Sequence, residues 1–131
     1  MQTEFDISGT RLVATVSGAF DADQSVSKFA SVLSFCRTYD LDQVLIDFRD
    51  LQGFSFATSG ILYAHTISSL YQQHLAGGGN ALRIAYLAPD TFIEGWNRGV
   101  GIARAAGLDV LATTELPEAM EWLEWREGCA S

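Results

Sequence analysis

The run Val44-Leu45-Ile46-Asp47-Phe48 constrains this chain most. It is short, apolar and rich in strand formers, which fits a strand buried inside a sheet rather than a helix. Through Arg49-Asp50-Leu51 and a short loop it reaches Ala57-Thr58-Ser59-Gly60-Ile61-Leu62-Tyr63, where helical spacing begins. A strand, a loop with two adjacent hydroxyls and a helix starting near Thr58 or Ser59 make one β-loop-α unit. A helix start presents unpaired backbone N–H groups and the positive end of the helix dipole, so it suits a hydroxyl, a phosphate or another anion. Asp47 stands out, because a carboxylate is unusual in the middle of a buried strand.

The rest of the chain repeats this alternation. Phe5 and Ile7, then Leu12, Ala14 and Val16, alternate with polar residues on either side of Ser8-Gly9, which predicts an antiparallel hairpin. Asp21-Ala22-Asp23-Gln24-Ser25 supplies capping side chains for a helix whose stripe is Val26, Phe29, Ala30, Leu33 and Cys36, ending near Tyr39. Tyr63, Ile67, Leu70, Tyr71 and His74 mark a second helix, stopped by Gly77-Gly78-Gly79-Asn80. Leu82 to Leu87 reads as a strand. Phe92, Ile93, Trp96, Val100 and Ala103 form a third helical stripe, ended by Gly107. Val110-Leu111-Ala112 reads as a strand, and Pro117 opens a last helix. The order β-β-α-β-α-β-α-β-α predicts an α/β fold, a mixed and mostly parallel sheet of about five strands with about four helices. At 131 residues it is read as one domain, 1–131.

Composition narrows the function classes. Hydrophobic residues make up 48% of the chain and charged ones 18%, enough for a large core and a partly apolar surface suited to a homodimer. The net charge of −8 repels phosphate backbones and anionic lipid heads, so neither nucleic acid nor a membrane surface is expected as a partner. No apolar stretch approaches the ~20 residues of a membrane span, and the N-terminus lacks the pattern of a signal peptide. Cys36 and Cys129 have no metal-site or redox spacing and read as reduced thiols of a cytoplasmic protein.

The remaining motifs are better explained by structure than by chemistry. Gly99-Val100-Gly101 has no strand feeding it and reads as close helix packing, not a dinucleotide loop. Asp21-Ala22-Asp23 superficially resembles the D-x-D start of haloacid-dehalogenase-type phosphatases. The chain is short for that family and lacks its later lysine and Asp-Asp elements, so capping is the reading. An EF-hand loop fails because Val32 holds the position of its bidentate ligand. His65 and His74 are nine residues apart, half a turn around one helix at ~100° per residue, and cannot share a metal; each reads as a surface or half-buried residue. Neither a metal nor a cofactor is expected. Trp96, Trp122 and Trp125 read as core and rim packing. A hydrolase using Ser59 or His65 would need a positioned base that the sequence does not identify.

The hydroxyl loop and the last helix together resemble the STAS/SpoIIAA-like superfamily, which comprises anti-sigma-factor antagonists and STAS/SEC14-related small bacterial proteins. In the antagonists an Asp-containing apolar strand leads through Asp-Ser-Ser-Gly into a helix. Here Val44-Leu45-Ile46-Asp47 stands for the strand and Ala57-Thr58-Ser59-Gly60 for the loop, with Ala57 in place of the aspartate. Glu118-Ala119-Met120-Glu121-Trp122-Leu123 is similar to the ending of the SEC14-related branch. The resemblance implies a SpoIIAA-like fold and a non-enzymatic bacterial regulatory module. Such a module binds a partner protein through residues 53–60, with Thr58 at the phosphorylatable position and Ser59, Asp47 and Gly60 around it. The alternative is a binder of a small apolar ligand, its pocket lined by Phe54, Phe56, Tyr63, Phe92 and Trp96.

Overall fold

A computed structural model describes residues 2–19, 21–52, 56–90, 93 and 101–123; at 22 and 56–63 the description is of the backbone. The elements are β1 (Gln2–Ser8), β2 (Arg11–Ala19), α1 (Ala22–Tyr39), β3 (Gln43–Gln52), α2 (Phe56–Ala76), β4 (Arg83–Leu87), β5 (Asp109–Thr113) and α4 (Leu116–Trp122). A helical stretch at 101–105 precedes β5 and is labelled α3. The strands lie in chain order, β1-β2-β3-β4-β5. β1 pairs antiparallel with β2, and every later pair is parallel. This is the mixed, mostly parallel α/β sheet expected from the alternation.

Chain order dictates which face is covered. Successive right-handed crossovers that always step in the same direction place their helices on one side of the sheet. The packing follows that rule. Leu12, Ala14, Val44, Ile46, Ile84 and Val110 share one face and one core with Phe29, Leu33 and Cys36 of α1, Ala64, Ile67 and Tyr71 of α2, and Ala103 of α3. The register is consistent, since Leu12 lies beside Val44 and Val44 beside Ile84. The opposite face carries a smaller cluster in which Leu45, Ala85 and Leu87 meet Ala119 of α4 and Leu123 at its C-cap. Burial of α4's short apolar stripe is supplemented by charge. Trp122 has the Arg83 and Arg104 guanidinium carbons 5.4 and 5.9 Å from its ring centroid, within cation–π range. Arg83 Nη1 also donates to the Trp122 carbonyl at 3.1 Å.

Two helix starts agree with their sequence signals and one differs. Asp21 caps α1, its Oδ1 accepting from Gln24 N at 3.1 Å, which makes the D-x-D motif a cap. Pro117 lies in the first turn of α4. α2 begins at Phe56, two residues before Thr58, and β3 runs on to Gln52, past Phe48. Arg49 and Asp50 look like the end of an apolar strand. In the sheet they belong to an irregular step, after which Leu51 re-enters the core. Of the loop read from sequence as 53–60, the part from Phe56 on, with Thr58 and Ser59, is helical, and 53–55 lie outside the described residues.

The C-terminus of α2 is fixed by polar contacts that spacing alone did not show. His74, expected at the surface or half-buried, is only 5% exposed, whereas His65 is exposed. The His74 Nε2 donates to the Asn80 carbonyl at 2.9 Å, which assigns the ring proton to that nitrogen. Asn80 Nδ2 donates to the Leu41 carbonyl at 2.6 Å, and Tyr71 Oη accepts from Leu82 N at 3.1 Å. The imidazole lies against Gly79 so closely that a Cβ there would be 2.3 Å from a ring atom. Gly78 serves a different need, with φ at +89°.

Cys36 is fully buried on α1, and burial first, with the Asp42 charge second, pushes its thiol up to about 12. Two outcomes are expected. Gly79→Ala should lower unfolding free energy in urea by about 1–3 kcal/mol, because the buried imidazole must give up its place. The Cys36 thiol should also make stability pH-dependent at the alkaline end. Above pH 9 the unfolded chain releases a proton that the native chain keeps, so stability contributed below that pH should fall progressively toward pH 12. In a Cys129→Ser background, comparison of Cys36→Ala with its parent across that range isolates this contribution.

Candidate functional site

In an open parallel sheet the crevice for ligands and partners lies outside the carboxyl ends of the strands. Here that edge gathers the end of β2 with the start of α1, the end of β3 with the start of α2, and the end of β4 at Leu87. Four exposed carboxylates are described there, Asp21, Asp50, Asp90 and Glu115, beside Arg49, which is paired with Asp47, and Gln52.

Asp47 sits just below this edge and has an identifiable task. β2 and β3 run in register from Arg11 beside Gln43 to Thr15 beside Asp47, and then Ser17 lies beside Asp50. β3 thus takes three steps where β2 takes two, a bulge in the strand that leads to the site. At this step Asp47 Oδ1 accepts from Arg49 N at 3.0 Å, so the carboxylate supplies a partner for a backbone donor where the ladder slips. The Arg49 side chain closes on the same carboxylate, with Nη2 2.9 Å from Oδ2 and Nε 3.1 Å from Oδ1. The Asp47 carboxylate, by hydrogen bonding first and charge second, raises the Arg49 pKa and holds the guanidinium protonated. The register puts Asp47 beside Leu87, on the face opposite α1 and α2, with its side chain 14% exposed. A carboxylate in this strand is accommodated because that face is only partly covered. Sequence reasoning missed Arg49, although the spacing Asp-x-Arg at a strand end was the available signal.

Thr58 and Ser59 are the third and fourth helical residues of α2, so the Thr58 N–H lies among the first-turn donors that have no intrahelical acceptor. The first turn of α2 carries no acidic residue, whereas Asp23 lies in the first turn of α1 and Glu118 in that of α4. The structure places Thr58, Ser59 and Gly60 in one turn of helix and sets Asp47 in the strand before it. Of the residues expected to line an apolar pocket, Phe54, Phe92 and Trp96 lie outside the described residues, and at Phe56 and Tyr63 only the helical backbone is described. Among the described residues, an apolar void between sheet and α1, lined by Phe5, Val16, Phe29 and Phe48, measures about 10 Å³, room for about one water. Among the described residues no group of three or more His, Cys, Asp or Glu side chains could hold a metal ion. No helix among them is long and apolar enough to cross a membrane.

No protein-family model matches the chain. No curated protein matches it either. Among solved structures it is similar to the Bacillus cell fate determinant SpoIIAA in its phosphorylated form, with a TM-score of 0.53, 14% identity and coverage of 92% of this chain and 97% of that one. It is also similar to the anti-sigma factor antagonist SpoIIAA in its unphosphorylated form, with a TM-score of 0.51, 10% identity and coverage of 92% and 95%. The likeness shows that this chain has the fold of SpoIIAA over nearly its whole length.

The bulge yields a graded expectation. Asp47→Ala should cost about 1–2 kcal/mol in denaturant unfolding, because it strands a backbone donor. Arg49→Ala, whose side chain is 51% exposed, should cost less than about 1 kcal/mol. Equal losses would show that the ion pair, not the backbone bond, holds the bulge.

Proposed function

We propose that this chain is a non-enzymatic regulatory module of a bacterial cytoplasm that binds a partner protein through residues 53–60 and the start of α2. Phosphorylation of Thr58 or Ser59 modulates that binding. The observation that carries this reading is the composition of one helix end. α2 follows the bulged strand β3 to the carboxyl edge of the sheet, and its first turn holds no carboxylate. The dipole end is thus left without an anion of its own, and Thr58 lies within that turn. A phosphate there adds nearly two negative charges, tolerated locally by the helix end. Any face that docks on this turn would be changed strongly in charge, because the surrounding edge is already acidic. The fold shared with SpoIIAA, whose structure is known in a phosphorylated and an unphosphorylated form, supports the same reading.

The experiment is affinity capture from a lysate of the source cells, quantified by mass spectrometry, with wild type beside Thr58→Glu and Thr58→Ala. The expected result is a protein retained by wild type and Thr58→Ala and depleted about tenfold or more by Thr58→Glu, as repulsion at a docking face requires. Identical bound sets for all three would remove the start of α2 as the docking face.

A further inference from the structure

Away from the carboxyl edge, the sheet ends at β1. Among the described residues nothing pairs with its outer side. β1 is seven residues long, pairs with β2 in unbroken register from Gln2 beside Ser17 to Ser8 beside Arg11, and contains neither lysine nor proline. Edge strands are ordinarily shortened, bulged or studded with lysine to prevent a further strand from adding. β1 is neither short nor bulged, and the charges it carries are Glu4 and Asp6, which guard the edge against a like-charged strand and leave it open to a basic one. Its two rows of side chains differ sharply. Thr3, Phe5 and Ile7 share the face of Val16, Ala14 and Leu12, and Ile7 is 38% exposed. Phe5 continues into an aromatic row on α1, 4.6 Å from the Phe35 ring, which lies 6.0 Å from that of Tyr39, and Tyr39 is 56% exposed. Gln2, Glu4, Asp6 and Ser8 occupy the other face and are all exposed. Among the described residues neither Glu4 nor Asp6 has an ion-pair partner.

These rows select the occupant. A second copy of β1 added antiparallel must keep its apolar row on the apolar side, which leaves three registers overlapping five or more residues. One sets Glu4 against Glu4, one sets Glu4 against Asp6 twice, and one sets Asp6 against Asp6. Like charges directly opposed across strands are destabilising, so self-pairing is disfavoured in each. A strand with lysine or arginine at alternate positions and apolar residues between them meets both rows favourably and takes up the free backbone groups. We propose that the β1 edge is a docking site for an extended segment of another protein, with alternating basic and apolar residues, which adds as a sixth strand. This site is separate from the start of α2 and does not depend on the reading given to it.

The probe is a labelled heptapeptide, Lys-Val-Lys-Val-Lys-Val-Lys with blocked ends, followed by fluorescence anisotropy and by hydrogen exchange of the β1 amides. The expected result is saturable binding to wild type with slowed exchange in β1. Methylating the backbone nitrogens of either the lysines or the valines distinguishes strand addition from charge attraction, because a strand's N–H groups point alternately to its two sides. One methylated peptide should lose binding and the other keep it. Glu4→Lys with Asp6→Lys, both exposed and so not expected to disturb folding, should weaken the unmodified peptide about tenfold by turning attraction into repulsion. No binding, or equal binding by both methylated peptides, would overturn the proposal. A wild-type dimer with β1 amides protected at its interface would overturn it as well, since the edge would then belong to a second copy. The first experiment leaves Thr58 untouched, so the two readings fail independently.

Discussion

The handedness of the β-α-β crossover governs this molecule. Because β2, β3, β4 and β5 are laid down in chain order, each right-handed connection steps the same way and returns its helix to the same side. That single constraint places α1, α2 and α3 over one face and assembles the large core there. It also leaves the other face to whatever follows β5. That is α4, seven residues long, which reaches Leu45, Ala85 and Leu87 and is held by the Arg83 and Arg104 contacts to Trp122. Beyond α4 the face is polar, and a carboxylate such as Asp47 can sit in a central strand there without being buried alone.

The same constraint produces the functional geography. Parallel strands all deliver their loops to one edge, so the starts of α1 and α2 come together there. β3 reaches that edge through a bulge whose backbone is satisfied by Asp47. The bulge keeps Leu51 in the core after a charged pair of residues. Asp47 was a candidate for partner binding from the resemblance. Its hydrogen bonds show that it shapes the strand leading to the candidate turn. At the other end of α2, His74, Gly79 and Asn80 tie the helix back to Leu41, so the long helix is anchored far from the turn proposed to dock.

Opening on a hairpin rather than a crossover has its own consequence. β1 joins antiparallel, and among the described residues no strand pairs with its outer side. Its alternation gives one apolar and one acidic row, and the net charge of −8 seen in the sequence becomes, at this edge, a specific row of two carboxylates rather than a general field.

What the sequence by itself determined was the alternation of the strands with α1, α2 and α4, the caps at Asp21 and Pro117, the glycine stop after α2 and most of the core faces of the strands and of α1, where Ala30, expected on the buried stripe, is exposed and Val32 is buried instead. These follow from local rules, namely side-chain periodicity, capping and backbone freedom, which neighbours in the chain decide. What only the tertiary structure decided was where β3 ends, where α2 begins, why Asp47 is tolerated and that His74 is buried. Each depends on a partner brought in from elsewhere: β2 prolongs the pairing of β3 past Arg49, and the turn at Gly79 folds over an imidazole that spacing alone placed at the surface or half-buried. A charged residue in a strand and a histidine on a helix stripe each have more than one stable setting. The choice between them is made by packing and hydrogen bonding across the fold, which periodicity along the chain does not contain.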